Sequence, residues 1–275
     1  MRDGAAGGTR VGVSKQPVTV VRVRFLFTRR WVLFALAVVV LAYGAYWLGE
    51  WQFHRLEDRR ERNAQTVQNL DRPAVPVDEV LAAGRPVSPE DEWRRVRATG
   101  RYLADQSIIV RYQTRDGASG VDVVTPLDTG AGAPLLLVDR GWVQTGNAGD
   151  ASPEVPEPPS GQVTVEGWVR ADATGDSTAV TDRSTRSISS SAIGDALHAE
   201  VYGGFVDVTR ESPEPAEPLE HADEPDLSEG PHFFYGLQWW FFGALAVFGF
   251  GYLAWDERRK LRAGEPAPER ETART

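Results

Sequence analysis

Few residues of this chain are able to do chemistry, and their spacing fits none of the common catalytic patterns. The nearest candidate for a nucleophile elbow is Ser119, but Val121 takes the place of the closing glycine. The histidines show no H-E-x-x-H spacing, and no phosphate-binding loop or dinucleotide-binding glycine pattern follows a predicted strand. We therefore expect no enzymatic activity. The histidines are His54, His198, His221 and His232.

The chain contains no cysteine, which excludes several kinds of site. Disulfides, thiolate metal sites, thiol nucleophiles and covalent haem attachment all require cysteine. Delivery of Cu(I) by paired thiolates is excluded as well, because soft Cu(I) selects sulfur and the only methionine is Met1. The net charge is -9, and no basic stripe marks a nucleic-acid-binding surface. We expect no metal site and no nucleic-acid partner.

Three short groupings of aromatic, amide and charged residues remain as candidates for binding. The first runs from Gly49 to Arg55, and the second from Asp139 to Val143. The third runs from Pro231 to Trp240. The first and third lie beside the two apolar runs of the chain, so the position of those runs decides where the groupings lie.

The apolar runs, at 31–49 and 232–255, are predicted to be transmembrane helices. Each is long enough to cross about 30 Å of hydrocarbon at 1.5 Å per residue. Tryptophan and tyrosine flank both runs, and such rings prefer the membrane interface. The first run lacks a small-x-small cleavage pattern, so we interpret it as a retained span rather than a signal peptide. Membrane lipid is therefore an expected partner.

The basic residues near the second run set the predicted orientation. Four of them follow it within 256–262, whereas no lysine or arginine lies between Glu211 and Trp255. Basic residues favour the cytoplasmic side. We therefore predict a multi-pass protein of the cell membrane, with cytoplasmic tails at 1–30 and 256–275 and an extracytoplasmic domain at 50–231.

Small and polar residues recur at helical spacing in the second run and predict its contact with the first. Transmembrane helices approach closely where such residues meet, so the stripe is expected to pack along Ala35, Ala42 and Ala45. For the glycines, ordinary membrane packing is the simpler interpretation. The stripe consists of His232, Tyr235, Trp239, Gly243, Ala246 and Gly249.

The segment between the runs predicts an α+β domain with a mainly antiparallel sheet or small barrel. Short segments rich in valine and isoleucine, separated by turn residues at hairpin-like spacing, predict six strands. The strands are expected at 96–103, 107–113, 120–127, 134–143, 163–170 and 204–209. Helices are predicted at 50–70, where the first span continues as a stalk, at 77–84 and at 191–202.

An acidic, proline-rich stretch at 211–230 is predicted to be an extended tether between the sheet and the second span. It lacks the apolar content needed to order itself. A solvated linker is the simpler interpretation, and a cation site built from its carboxylates is the more specific alternative.

The three groupings, in this order around two spans, resemble motifs of the Surfeit locus protein family, which are assembly factors for haem-copper cytochrome c oxidase. The first motif, G-x-W-Q-x-x-R, is matched completely. The second, R-G-W-V-P, is matched except that Gln144 replaces the proline. In the third, N-H-L-x-Y-A-x-x-W-[FY], Pro231 replaces the asparagine, Phe233 the leucine and Gly236 the alanine. The matching residues are Gly49, Trp51, Gln52, Arg55, Arg140, Gly141, Trp142, His232, Tyr235 and Trp239.

The resemblance implies a non-catalytic assembly factor that assists haem a insertion and stabilises subunit intermediates of the oxidase. Some bacterial members of the family bind haem a through the histidine that matches His232, so Tyr235 and Trp239 would supply an aromatic wall beside it. The implied partners are the oxidase subunits, above all the haem-bearing large subunit, and the enzymes of haem a synthesis.

Other interpretations of these residues stay open. His232 is equally consistent with an interfacial histidine packed against aromatic rings. Trp51, Gln52 and Arg55 fit an interfacial belt, whereas Arg140 and Trp142 fit contacts inside the domain. At the level of the whole chain, the alternative is a membrane-anchored scaffold or sensor domain that binds a protein partner without haem. A colourless protein that still associates with the oxidase would favour scaffolding.

Overall fold

The computed structural model describes residues 24–130, 132–145 and 153–263. These residues form two compact units. One contains the described residues up to Asp58 together with those from Glu229 onward, and the other is Arg59–Ser228. The helices are α1 Arg29–Asp71, α2 Ser190–Leu197 and α3 His232–Ala263.

The first unit is built from α1 and α3. Both helices are long and apolar enough to cross a membrane, and among the described residues they are the two that meet this condition. Helix α1 has 43 residues and ends at Asp71, because Pro73 disfavours helical backbone in the residue before it. Helix α3 follows Pro231, and proline is well suited to the start of a helix.

The second unit is organised around one mixed sheet, which contains eight strands among the described residues. Their spatial order is β1-β2-β6-β8-β5-β4-β3-β7, with a further short pairing between β2 and β4. The strands are β1 Val75–Pro76, β2 Arg95–Tyr102, β3 Ile108–Arg115, β4 Ala118–Asp128, β5 Leu136–Gln144, β6 Val163–Arg170, β7 Ser184–Thr185 and β8 Phe205–Ser212.

The prediction of a mainly antiparallel sheet or small barrel is corrected by this topology. Strands β1 and β2, β3 and β7, and β5 and β8 pair in parallel, whereas the other pairs are antiparallel. Strand β8 returns after β6 and α2 and lies between β5 and β6. Hairpin-like spacing concerns only strands that are neighbours in the sequence, so it does not reveal this return.

All six predicted strands are present, and their burial patterns explain their positions. In β2 and β6 every second residue is buried, as expected for strands with one face on the core. Strands β4 and β5 are buried almost continuously. Ile193 of α2 packs against Ile108 and Leu137 and covers one part of the sheet.

Helices and tether differ from their predicted extents. The predicted helix at 77–84 is a single 3₁₀ turn at Val77–Glu79. Helix α2 ends at Leu197, and the next residue, His198, adopts left-handed backbone. Strand β8 continues to Ser212, so the first two residues of the predicted tether belong to the sheet. Glu220, farther along, pairs with Trp142 through backbone hydrogen bonds of 2.7 and 2.9 Å.

Candidate functional site

Helices α1 and α3 pack closely where glycine makes room for an indole ring. A Cβ atom at Gly49 would clash with the side chain of Trp240. The ring of Tyr46 stacks on the same indole at 6.4 Å between centroids. One turn after Gly49, Phe53 contacts Trp240 with centroids 4.8 Å apart and lies against Gly236. These contacts fix the register of the two helices at this end of the unit.

Within this packed end, Gln52 and His232 form a hydrogen bond between their side chains. Gln52 Oε1 lies 2.8 Å from His232 Nδ1. Gln52 is one helical turn beyond Gly49, and His232 is one turn before Gly236, so helical periodicity brings both to the same seam. The bond therefore joins one residue of the first grouping to one residue of the third.

Tyr235 and Trp239, which were predicted to form an aromatic wall, follow His232 on α3 by about one and two helical turns. Tyr235 is 48% exposed, and Trp239 is half-buried, with its ring 6.1 Å from that of Phe242 at an interplanar angle of 88°. A histidine ring next to partly exposed aromatic side chains is the kind of surface that fits a flat apolar macrocycle.

Trp51 and Arg55 of the first grouping form a cation–π pair on α1. The guanidinium of Arg55 lies 5.6 Å from the centroid of the Trp51 ring, one turn away on α1. Trp51 is 42% exposed, and Arg55 is exposed as well. A cation–π pair of this kind suits a helix surface at a membrane interface.

In the sheet domain, Arg140 is buried and holds a loop to β8. Its Nη1 and Nη2 donate to the carbonyls of Pro156 and Glu157 at 3.0 and 3.3 Å. Its Nε lies 3.6 Å from Glu211 Oε1, and its guanidinium carbon lies 5.6 Å from the centroid of the Tyr102 ring. Glu211 also accepts a 2.6 Å hydrogen bond from the Tyr102 hydroxyl. Burial, and next the Glu211 charge, raise the pKa of Tyr102 well above its usual value.

Gly141 and Trp142 join β5 to the segment that follows β8. Gly141 has a φ of 123°, and a Cβ atom there would clash with the carbonyl of Glu220. The indole of Trp142 lies over Gly120, and its Nε1 donates to the carbonyl of Gln113 at 3.3 Å. Together with Arg140, these residues make contacts inside the domain.

Three carboxylates on neighbouring strands form a buried acidic cluster, which consists of Asp122, Asp139 and Asp207. Burial raises the pKa of Asp139 well above its usual range, and the charges of the other two raise it further. Burial likewise raises the pKa of Asp207, although Arg170 is 2.7 Å away. For Asp122, burial outweighs the opposing effect of Arg115 at 3.1 Å and raises its pKa to about 6.

The acidic cluster does not resemble a metal centre. Across the part of the chain that the structure describes, no group of three or more histidine, aspartate or glutamate side chains is arranged to hold a metal ion. Arginine side chains lie at both ends of the cluster and balance part of its charge. This arrangement fits a structural role in the sheet.

The sequence did not predict which residues contact Arg140 and Gly49. Glu211 belongs to β8 and not to the predicted tether. The available signal for this longer strand is that the segment up to Ser212 contains no proline or glycine after Gly204. Tyr102 contacts Arg140, and Trp240 contacts Gly49, from a different strand or helix. Their roles depend on which strand or helix lies opposite, which local periodicity does not specify.

Comparison with known proteins gives a consistent match. The chain matches the model of the SURF1 family over residues 38–244. An uncharacterized SURF1-like protein of Mycobacterium tuberculosis is 31% identical over 258 residues, which cover 90% of this chain and 93% of that protein. The cytochrome oxidase assembly protein SHY1 of Saccharomyces cerevisiae is 26% identical over 112 residues, which cover 40% of this chain and 27% of that protein.

Proposed function

Because the chain belongs to the SURF1 family, we propose that it is a non-catalytic assembly factor for haem-copper cytochrome c oxidase. The observation that carries this proposal is the family match, which runs from within α1 to within α3 and thus includes both helices and the sheet. The name of the yeast relative, a cytochrome oxidase assembly protein, supplies the pathway.

The protein acts at the cell membrane, with α1 and α3 as its two spans and both termini in the cytoplasm. Their length and apolar composition support spanning. Many of their large apolar side chains are exposed, including Val39 at 63% and Phe248 at 72%, and lipid would cover such surface. The basic residues near the C-terminal end of α3, within 256–262, support the orientation.

His232 binds haem a during its transfer to the large subunit of the oxidase. Support comes from the hydrogen bond between Gln52 and Nδ1, which leaves Nε2 as the ring nitrogen able to ligate iron. Tyr235 and Trp239 would line the macrocycle. Haem a, when bound, would be the prosthetic group that the oxidase requires. The protein itself holds, orients and shields it.

The sheet domain stabilises oxidase subunit intermediates, and the enzymes of haem a synthesis are its second class of partner. Support for a binding role comes from the buried Arg140 and its contacts, which make the loop at 156–157 and the sheet one connected structure. A connected surface of this kind loses little conformational entropy when a partner binds.

Deletion of the gene tests the pathway. We expect the deletion strain to lose most of the haem aa3 absorbance of its membranes together with oxidase activity, and we expect the wild-type chain to restore both. The His232→Ala chain should restore neither fully. Normal absorbance and activity in the deletion strain, once a second copy has been excluded by sequencing, would contradict the assembly role.

Purification from a host that makes haem a tests the cofactor. A Soret band that disappears in His232→Ala supports haem binding through this residue. A colourless protein that still copurifies with oxidase subunits would replace the haem role with scaffolding alone.

A further inference from the structure

We propose that Gln52 is a positioning residue that fixes His232 in the tautomer with its proton on Nδ1 and so presents the Nε2 lone pair to a ligand. This inference deepens the proposed function, because its use rests on the haem role of His232. Its geometric content, however, is a property of the protein without haem and is tested separately.

The direction of the hydrogen bond follows from the chemistry of the two groups. The amide oxygen of Gln52 only accepts, so His232 Nδ1, 2.8 Å away, must donate. A neutral imidazole carries one ring proton. With that proton on Nδ1, Nε2 holds the lone pair.

The position of Gln52 is fixed by contacts on both sides of it along α1. Before it, Gly49 receives the indole of Trp240, and after it, Phe53 lies against Gly236. The backbone of α1 therefore cannot rotate about its axis without breaking these contacts. Two packed helices thus hold the amide and the imidazole at hydrogen-bond distance before any ligand arrives.

Gly230, a residue without a side chain, lies near the Cδ2 and Nε2 atoms of His232. A Cβ atom placed on Gly230 would lie 3.6 Å from His232 Cδ2 and 3.8 Å from Nε2. Gly230 has a φ of +67°, which glycine adopts without strain. The sequence therefore supplies an acceptor on the Nδ1 side and a residue without a side chain near Nε2.

This arrangement has the form of a metal-ligating histidine with an outer partner. Such histidines almost always donate their second ring N–H to a nearby oxygen, which fixes the tautomer, and loss of that partner typically weakens metal binding by about 10–100-fold. A histidine that only packs at a membrane interface needs no fixed tautomer.

The first experiment measures the tautomer in the full chain without haem. Histidine labelled with ¹⁵N is observed by NMR in lipid nanodiscs at about pH 8, where an ordinary histidine is neutral. His232→Gln identifies the signal of His232. We expect the Nδ1–H form in the wild type and a shift toward the Nε2–H form in Gln52→Leu. Gln52→Glu should retain the Nδ1–H form, because a carboxylate also accepts the proton.

The second experiment titrates the same variants with ferric haem and follows the Soret band. Gln52→Leu should bind at least tenfold more weakly than the wild type, and Gln52→Glu should stay within about threefold of it. Gly230→Ala should weaken binding while leaving the Nδ1–H signal unchanged. His54→Gln is the matched control and should alter neither measurement, because His54 is exposed on α1.

The two experiments separate the inference from the function on which it rests. A wild-type His232 in the Nε2–H form, or a Gln52→Leu variant that keeps the Nδ1–H form, would overturn the positioning role of Gln52. Equal haem affinity of wild type and Gln52→Leu would overturn it too. The expected tautomers in a protein that binds no haem would support the positioning role and contradict haem binding.

Discussion

At the scale of single residues, the buried charges of the sheet domain are the main energetic feature. Arg140 is 1% exposed, and its Nε has no hydrogen-bond partner among the described residues although Glu211 Oε1 is 3.6 Å away. Moving a charge out of water costs several kcal/mol, and only good pairing offsets this cost. The Arg140–Glu211 pair therefore tolerates loss of either partner poorly.

Replacement of Arg140 by methionine tests this pair. The change keeps much of the side-chain volume but leaves the Glu211 carboxylate buried without its cation, so we expect the free energy of unfolding to fall by about 3 kcal/mol. Denaturant unfolding of the full chain in detergent, followed by tryptophan fluorescence, measures the change. Arg97→Met is the control, because the Arg97 side chain in the Arg97–Glu166 pair at 3.8 Å is 52% exposed and the pair should contribute less than about 1 kcal/mol. Equal losses would contradict the prediction.

The acidic cluster predicts an unusual pH dependence of stability. Burial raises the pKa of Asp122 from 3.8 to about 6, so between these values the folded chain binds more protons than the unfolded chain. The contribution of Asp122 to the free energy of unfolding therefore falls as pH rises from about 4 to about 6. Asp139 and Asp207 act in the same direction, because their pKa values are also raised.

Asp122→Asn removes part of this dependence. In the wild type, we expect Asp122 to lower the free energy of unfolding by on the order of 2 kcal/mol between about pH 4.5 and 7.5. The variant should lack this decrease, so its unfolding free energy should fall less steeply with pH. Asp226→Asn is the control. Hydrogen bonds from Ser228 and the charge of Arg59 lower the pKa of Asp226, so its titration lies below this range. An unchanged slope in Asp122→Asn would be the contrary result.

At the scale of the elements, the contact face of α3 is rotated from the one that the sequence predicted. Gly243 meets Ala42 and Ala45 as predicted, but Gly249 has open space around it. Gly236 and Trp240 complete the observed seam. Tyr235 and Trp239 therefore lie outside these contacts, and Tyr235 is exposed while Trp239 is half-buried.

Cross-linking tests the seam directly, because the chain has no cysteine of its own. A Cβ atom at Gly243 would lie 3.2 Å from the Cβ atom of Ala45, close to the separation in a disulfide. We expect Ala45→Cys/Gly243→Cys to cross-link rapidly under mild oxidation, as measured by mobility after cleavage of the intervening loop. Ala45→Cys/Gly251→Cys, two turns farther along α3, should stay reduced. Comparable cross-linking of both pairs would refute the register.

At the scale of the whole molecule, the sheet domain lies between two apolar helices in the sequence. The proposed membrane topology rests on this order. If both helices span the membrane, the segment between them lies on one side and both termini lie on the other. Each residue that matches a family motif then has a defined position relative to the membrane. His232 and Gln52 fall at the extracytoplasmic ends of the two spans.

Labelling of single cysteines in right-side-out membrane vesicles tests this topology. A membrane-impermeant maleimide should label Tyr112→Cys in intact vesicles, because Tyr112 is 72% exposed in the sheet domain. Leu261→Cys, near the end of α3 and 59% exposed, should react only after the vesicles are opened. The reverse pattern would overturn the proposed orientation and, with it, the placement of His232.

The sequence by itself determined the features that depend on local pattern. The apolar runs, the six strands between them and the motif residues follow from periodicity, turn residues and short spacings, all of which are properties of contiguous segments. For example, β6 occupies the segment that was predicted to be a strand, Val163–Arg170. The family resemblance rested on the same local signals and is confirmed by the family match.

The tertiary structure decided which of these segments meet. The parallel pairing of β5 with β8, the burial of Glu211 beside Arg140 and the bond between Gln52 and His232 all join residues that are far apart in sequence. Strand order and helix rotation depend on how whole elements share a core and satisfy buried charges. No local pattern records those choices, because their energy arises only when the distant segments come into contact.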